Sequence, residues 1–153
     1  MTFTLEPLKS TDFDEIVCQE SQIAFRDLLN THPEFKTQLC KRCIGRTGRL
    51  DGVIIGICGI SKITDYMGEG WAYFSDLVLT NPIRVVKEIR KFLKSQTHIR
   101  RIYCTVDVHN AKAIRFAETL GFKFEGILQA YGPEGHDHAM FTIINRNLEW
   151  ETR

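Results

Sequence analysis

The length and composition of the chain indicate one ordinary globular domain. Its 153 residues are 43% hydrophobic and 25% charged, and the formal net charge is +1. These values argue against a disordered or fibrous chain, and a charge near zero provides no global field to attract nucleic acid or an anionic membrane. No apolar run approaches the roughly 20 residues of a membrane span, and the start of the chain lacks a basic and then apolar leader. We therefore expect a single domain over residues 1–153 in a cytoplasmic compartment, with neither nucleic acid nor membrane as a partner.

The cysteines indicate reduced thiols rather than a disulfide framework. There are five of them, an odd number, in a chain with no secretory leader. Cys40 and Cys43 have the spacing of half a zinc site. A strong zinc motif needs a second closely spaced pair of cysteine or histidine residues, and none is clear in this sequence. We predict no metal site.

The first part of the chain is predicted to form a strand, two helices and three successive strands. Residues 3–8 alternate with a period of two, as in a strand. One helix is predicted from residue 12 through 16–18, and a second ends before Pro33. Strands are then predicted over 41–50, 53–60 and 71–79, with a hairpin turn at Asp51-Gly52 and a looser turn at 65–70.

The second part is predicted to alternate helices and strands. Asn81 and Pro82 start a helix with one apolar stripe, in which Ile89 and Phe92 are expected to be buried. After a strand at 101–108, Asn110 caps a helix that stops at Gly121, and the last strands cover 122–131 and 139–144. The order β-α-α-β-β-β-α-β-α-β-β predicts an α/β (α+β) fold, with a mixed, mostly antiparallel sheet and helices on both faces.

The segment of residues 108–127 carries a family resemblance. It reads V-H-N-A-K-A-I-R-F-A-E-T-L-G-F-K-F-E-G-I and resembles the N-x-x-A/S-I-R-x-x-E-K-L-G-F-x-x-E-G segment of the GNAT superfamily of N-acetyltransferases. The small residue Ala117, the following E-G and the tail at 131–150 are similar to the ribosomal-protein and N-terminal acetyltransferase branch. The resemblance implies a single GNAT-like domain in which the strand before Pro82 and the strand after its helix lie parallel and adjacent. It also implies transfer of acetyl from acetyl-CoA by direct attack of an amine or protein acceptor.

The region expected to bind the cofactor departs from the family pattern. Active members carry a glycine-rich Q/R-x-x-G-x-G/A loop, whose backbone amides wrap the pyrophosphate of coenzyme A at a helix N-terminus. Residues 79–88 read L-T-N-P-I-R-V-V-K-E, so the loop has no glycine, and Pro82 has no N–H. A weaker site is expected through Arg84, Lys87 and the remaining helix amides, although this basic helix face is more simply explained as a solvated surface. The resemblance implies these cofactor-binding residues: Val78, Leu79, Asn81, Arg84, Val85 and Asn110.

Candidate catalytic residues follow from the same resemblance. Many members place a tyrosine, the general acid, at the position of Ala117, so Tyr103 is the candidate substitute here and Tyr73 the alternative. Asp76, on the predicted strand 71–79, is the candidate general base, and Glu69, in the predicted loop before it, is the second candidate.

The His136-Asp137-His138 sequence places two histidines and an aspartate close together in the chain. It has the composition of a metal or acid–base cluster, yet a polar hairpin tip explains it more simply.

A second resemblance implies a different function. Short strings are similar to small GNAT-like proteins of short-tailed bacteriophages that take part in virion or head assembly: K-S-T-D-F at 9–13, a tryptophan-led strand followed by S-D at 71–76, and N-x-x-x-I-R-F at 110–116. These proteins also lack the glycine loop. The sequence therefore leaves two functions open. One is an acetyl-CoA-dependent N-acetyltransferase, and the other is a non-enzymatic assembly protein with virion proteins as partners, located in the host cytoplasm or the virion.

Overall fold

The computed structural model describes residues 2–146. Its strands are β1 (Phe3–Pro7), β2 (Cys43–Leu50), β3 (Val53–Lys62), β4 (Met67–Phe74), β5 (Arg101–Asp107), β6 (Lys123–Leu128) and β7 (His138–Ile144). Its α-helices are α1 (Asp12–Glu15), α2 (Ile23–Thr31), α3 (Pro33–Arg42), α4 (Pro82–Ser95) and α5 (Ala111–Thr119). Two 3₁₀ turns lie at Glu20–Gln22 and Asp76–Thr80. The part of the predicted tail motif over 147–150 lies outside the described residues.

The strands form one mixed sheet in the order β1-β2-β3-β4-β5-β7-β6. The pairs β1–β2, β2–β3, β5–β7 and β6–β7 are antiparallel, whereas β4 and β5 are parallel. A parallel neighbour requires a crossover connection, which α4 supplies. The predicted α/β fold with a mostly antiparallel sheet is therefore confirmed. The parallel, adjacent placement of the strands on either side of α4 is confirmed as well, but the paired residues are Met67–Glu69, which precede the predicted strand 71–79. Among residues 2–146, no helix has both the length and the apolar character that crossing a bilayer requires.

The chain divides into two compact units. The first consists of Met1–Lys62 and Gly70–Val85, and the second of Ile63–Glu69 and Val86–Arg153. The expectation of a single domain over residues 1–153 stays a prediction.

The core of the first unit forms where α1 and α2 meet β3 and β4. Residues 54–60 of β3 are buried throughout, as their continuous apolar run predicts. Tyr73 of β4 is 1% exposed, and its ring lies 6.3 Å from that of Phe13 and 5.3 Å from that of Phe25, between centroids. The buried members of this core are Phe13, Ile16, Leu29, Ile54, Ile57 and Tyr73.

The second unit is organised by the caps and stripes that the sequence predicts. Phe92 is buried as predicted, but Ile89 is only partly buried, which corrects the expectation for that residue. The Oδ1 atom of Asn110 accepts a hydrogen bond from the N–H of Ala113 at 3.1 Å, so the predicted N-cap is confirmed. Gly121 has a φ of 102° and ends the helix, and Phe122 enters the core directly after it.

Two helix predictions near the start of the chain are wrong. Helix α1 ends at Glu15 instead of continuing through 16–18, because Ile16 has an extended backbone and turns its side chain into the core. Helix α3 was not predicted, and it moves the start of β2 from residue 41 to Cys43. Its signals were present in the sequence, since Pro33 occupies the first turn and Lys41 and Arg42 lie in the last.

The bounds of β4 also differ from the predicted strand at 71–79. The strand begins at Met67 and ends at Phe74, and the next residues form a 3₁₀ turn. The hydroxyl of Ser75 accepts from the N–H of Leu77 at 3.2 Å, and the hydroxyl of Thr80 donates to the carbonyl of Leu77 at 2.7 Å. Such local side-chain bonds compete with a strand ladder, which explains why the strand stops early.

Candidate active site

The second unit places a carboxyl group beside a phenol. Glu69 of β4 and Tyr103 of β5 are register partners in the parallel pair. Opposite residues of neighbouring strands lie about 5 Å apart and point to the same face of the sheet. Glu69 is therefore on a strand, not in a loop as predicted, and both side chains are partly buried.

The surroundings of this pair shift both pKa values upward. Burial raises the pKa of the Glu69 carboxyl above 4.5, because desolvation disfavours the charged form. Burial is also the main cause that raises the pKa of the Tyr103 phenol, and the negative charge of Glu69 adds to it. A carboxylate with a raised pKa is a better proton acceptor, and a phenol with a raised pKa keeps its proton at neutral pH. The pair thus offers a base and an acid side by side.

Tyr73, the alternative candidate, packs in the hydrophobic core instead. Tyr73 is fully buried between aromatic rings, and burial strongly raises the pKa of its phenol. A side chain with no exposure cannot reach a substrate. The structure therefore separates the two candidate tyrosines by exposure, since Tyr103 is partly exposed and Tyr73 is buried.

Asp76 does not lie where the sequence predicts. It starts the 3₁₀ turn after β4 and is exposed, so the expectation that this carboxyl stands on the strand is wrong. An active base generally requires burial or a charged partner to tune its pKa. Glu69, whose side chain is partly buried, is the better candidate for the base. No sequence motif marks this residue; its position opposite Tyr103 in the parallel strand pair does.

The segment predicted to bind coenzyme A forms a 3₁₀ turn followed by the start of α4. Val78 and Leu79 are therefore not on a strand either; Val78 is buried and Leu79 is 67% exposed. The N–H of Val78 donates to the carbonyl of Ser75 at 3.2 Å, so this amide is already used within the turn. The carbonyl of Asn81 accepts from the N–H of Val85 at 3.2 Å, which places Asn81 at the N-cap position of α4.

These contacts test whether the segment suits a pyrophosphate. Pro82 has no N–H and the N–H of Val85 is bonded within the helix, so Ile83 and Arg84 are the remaining first-turn residues that carry an amide hydrogen. The guanidinium of Arg84 lies over the ring of Phe3, 5.4 Å from its centroid. The helix start and Arg84 suit a phosphate by charge and dipole, but they offer no glycine-lined cradle. The segment therefore suits a phosphate that is bound by the helix start and Arg84 but is not enclosed by a glycine loop.

The C-terminal end of β5 brings together side chains whose contact the sequence did not predict. Asp107 ends β5, and its Oδ2 lies 2.7 Å from the Nδ1 of His136 in the β6–β7 loop. Its Oδ1 accepts from the backbone N–H of His109 at 2.9 Å and lies 3.2 Å from the Nδ1 of the same residue. These bonds, led by that from the His109 amide, lower the pKa of Asp107 to about 2, and the bond to Asp107 raises the pKa of His136.

The two histidines of the His136-Asp137-His138 sequence do not act together. His136 joins Asp107, whereas His138 begins β7 and packs against the ring of Tyr131, 5.2 Å away between centroids. The two rings therefore do not lie side by side on one face of a strand. The reason is that His136 precedes the strand, so the alternation of a strand does not apply to it.

The cysteine pair is poorly suited to zinc. All five cysteines are unpaired thiols. Burial raises the pKa of Cys43 to about 11 and also raises that of Cys40. A cysteine binds zinc as the thiolate, so buried thiols with raised pKa values oppose metal binding at this pair.

Comparisons with known proteins agree with this fold. The profile of the acetyltransferase (GNAT) domain matches residues 9–139. An N-acetyltransferase from Staphylococcus aureus Mu50 superposes with a TM-score of 0.71 at 14% identity, covering 95% of this chain and 100% of that one. A GNAT-family acetyltransferase from Streptococcus pneumoniae gives 0.70 at 18%, covering 94% and 99%. A mutant of the spermidine N-acetyltransferase SpeG from Vibrio cholerae gives 0.65 at 19%, covering 94% of each chain.

The structural similarities, at these identities, show a shared fold alone. A search among curated proteins gave no significant match. The profile match covers most of the chain and includes β4, β5 and α5, the elements that carry Glu69, Tyr103 and Asn110. The chain therefore belongs to the GNAT acetyltransferase domain family.

Proposed function

We propose that this protein is an N-acetyltransferase that moves the acetyl group of acetyl-CoA to an amine, with Glu69 and Tyr103 handling the protons. The observation that carries the proposal is the pairing of these two residues across β4 and β5, together with the burial that raises both pKa values. Family membership supports the reaction class, and the residues supply the chemistry that this class requires.

The proposed roles follow from the protonation states of the two groups. An amine is an ammonium ion at neutral pH and must lose a proton before it can attack a carbonyl carbon. Glu69 accepts that proton, directly or through one water molecule. Tyr103 keeps its proton at Oη and is a hydrogen-bond donor on the same face of the sheet. Acetyl-CoA, when bound, would supply the acetyl group: the new amide bond would form as the carbon–sulfur bond breaks, and the Tyr103 phenol would supply a proton to the departing coenzyme A thiolate.

The residues proposed to hold acetyl-CoA are those with charge or amides at the start of α4. Arg84 and the amide of Ile83 would bind phosphate oxygens, with Asn81 and Val85 fixing the first helical turn. Leu79 remains the candidate for pantetheine, since the amide of Val78 bonds to Ser75. The missing glycines predict a weak affinity that falls as salt is added, because exposed charges are screened.

The acceptor is proposed to be a small amine or a protein amine. Spermidine, the substrate named for the compared Vibrio cholerae enzyme, and a peptide with a free N-terminus represent the two classes. Similarity of 108–127 to the ribosomal-protein branch favours the peptide.

A second function has a specific observation in its favour. The segment 80–84 has no glycine, as in the phage proteins that the sequence resembles. A non-enzymatic role in virion assembly accounts for that loss without any requirement for coenzyme A. Its partners would be virion proteins, and the protein would act in the host cytoplasm or the virion.

Calorimetric titration with acetyl-CoA distinguishes the two functions. The enzyme proposal predicts saturable binding that weakens with salt, followed by acetyl transfer to one of the two amines. Transfer should be lost in Glu69→Gln and retained in Asp76→Asn, which alters an exposed carboxylate of the 3₁₀ turn. No heat of binding at millimolar acetyl-CoA would overturn the enzyme proposal in favour of the assembly role.

A further inference from the structure

Three side chains with metal-binding atoms converge at the end of β5. One ligand atom each from Asp107, His109 and His136 lies within 4.8 Å of the other two. The imidazole rings of the two histidines are 4.7 Å apart between centroids. We call these three residues the Asp-His-His cluster. It is composed entirely of residues of the second unit and uses neither Glu69 nor Tyr103.

The backbone holds each member of the cluster in place. The N–H of His109 donates to the carboxylate of Asp107, and this hydrogen bond stabilises the turn that follows β5. The loop that carries His136 is fixed by its neighbour Asp137, whose carbonyl accepts from the N–H of Val108 at 3.1 Å. The Oδ1 of Asp137 also accepts from the N–H of Ala130 at 2.9 Å. These hydrogen bonds hold the loop in place, so that His136 contacts Asp107, which lies 29 positions earlier in the sequence.

The chemistry of the donor set points to a particular class of ion. Two imidazoles and one carboxylate are the ligands of zinc sites that keep a fourth position open, and of related first-row divalent ions. Hard ions such as Mg²⁺ and Ca²⁺ prefer sites made of oxygen atoms, so two nitrogen donors disfavour them.

The spacing of the donor atoms is also suitable. Ligand bonds of about 2.0–2.1 Å in a tetrahedral site place the donor atoms about 3.3 Å apart. The Oδ1 of Asp107 lies 3.2 Å from the Nδ1 of His109, and its Oδ2 lies 2.7 Å from the Nδ1 of His136, so the two histidines face different oxygens of the carboxylate. One ligand atom from each residue lies within 4.8 Å of the other two. The side chains of His109 and His136 are 70% and 40% exposed, so both have room to rotate toward an ion bound by the carboxylate. The ion would replace the hydrogens that now lie between these atoms.

We propose that the Asp-His-His cluster is a binding site for one divalent first-row transition ion of the zinc type. The ion would tie the β6–β7 loop to the turn that leads into Asn110 and α5. Metal binding therefore couples the position of that loop to the start of α5. This proposal does not depend on acetyl transfer, since neither the ion nor its ligands enter the proton handling by Glu69 and Tyr103.

Titration of the full chain with ZnCl₂, after treatment with a chelator, tests the site. We expect one ion per chain. His136→Gln and His109→Gln should each weaken binding by about tenfold or more, the scale on which losing metal-supporting groups affects affinity. Both side chains are exposed enough for the variants to fold, which circular dichroism can verify. His138→Gln is the matched control and should leave the affinity unchanged.

The cysteines provide the main competing site. A Co²⁺ titration resolves it, because thiolate ligands give a strong charge-transfer band in the near ultraviolet and histidine and aspartate ligands do not. We expect no such band, and we expect Cys40→Ser and Cys43→Ser to bind zinc like the unaltered chain. Absence of binding, a thiolate band, or histidine variants of the cluster that bind zinc as tightly as the unaltered chain would overturn the proposal.

Discussion

Glu69 of β4 lies opposite Tyr103 of β5, in the last register pair of the parallel pairing that runs from Met67 to Glu69. The pairing sets a partly buried carboxyl beside a partly buried phenol on one face of the sheet. Each group is fixed by a strand rather than a loop, which favours a defined geometry for proton transfer.

Removing the proton acceptor should reduce turnover. Glu69→Gln keeps the shape of the side chain but cannot accept a proton, and we expect kcat/KM to fall by about 10²–10⁴-fold. In the unaltered protein kcat/KM should rise with pH through the raised pKa of Glu69, and the variant should lack that rise. Steady-state assays over a pH series measure both effects. Equal pH profiles for the two proteins would contradict the assignment.

Glu69 should also make stability depend on pH in a definite direction. Its pKa is higher in the folded state than in the unfolded chain, so the fold favours the protonated carboxyl. The associated stabilisation is present below the unfolded pKa and is lost as pH rises through the folded pKa. Urea denaturation at acid and neutral pH should show that Glu69→Gln loses less stability over this interval. An unchanged difference between the two proteins at both pH values would show that Glu69 is not perturbed.

Restoring an amide at the start of α4 should strengthen cofactor binding. Pro82→Gly adds an N–H in the first turn, and one new bond to a charged phosphate contributes about 1.5–3 kcal/mol. The same change should weaken the helix start by up to about 1 kcal/mol. Melting temperatures with and without acetyl-CoA measure the two effects separately.

Pro82→Ala is the matched variant for that experiment, because it supplies the N–H but keeps a Cβ. A larger ligand-induced shift for glycine than for alanine would indicate that phosphate approaches the backbone closely. If neither variant gains stabilisation from acetyl-CoA, the segment does not bind phosphate, and the assembly role is favoured.

Asp12 should be important for folding, although it is a charged residue in a buried position. Its side chain accepts from the hydroxyl of Thr47 at 2.7 Å and from the N–H of Lys9 at 2.9 Å. Asp12→Ala leaves the buried Thr47 hydroxyl without this acceptor, at a cost of about 1–3 kcal/mol in unfolding free energy. Denaturant unfolding measures the loss. Asp27→Ala, which removes an exposed ion pair with Arg26, is the control and should barely move the midpoint.

Gly121 should tolerate a side chain less well than Gly126. Gly121 has a φ of 102°, so alanine there is strained by about 1–2 kcal/mol even though no atom lies within 4 Å of the added Cβ. Gly126 has equally open space without a positive φ, and Gly126→Ala should leave stability unchanged or slightly raised. Thermal unfolding of the two variants provides the comparison. Equal melting temperatures would mean that backbone strain does not decide the cost.

Features set by neighbouring residues were predictable from the sequence. The Asp51-Gly52 turn forms with φ values of 49° and 84°, Asn110 caps α5, and Gly121 ends it. Each depends on bonds or backbone preferences within about four residues. The order of the strands and the parallel crossover followed from these local elements, since few sheet topologies accommodate them.

Only the tertiary structure decided which functional side chains lie in contact and which are buried. Glu69 and Asp76 are acidic residues seven positions apart, and only Glu69 lies in the pairing of β4 with β5 and is partly buried. Tyr73 and Tyr103 differ in burial, which depends on packing from distant helices. His136 reaches Asp107 across 29 positions of sequence. The sequence by itself determined most of the elements and the family, because these depend on local preferences and patterns, but it missed helix α3 and misplaced the bounds of β4. The fold determined the chemistry, because proximity, burial and pKa values depend on residues that are far apart in the chain.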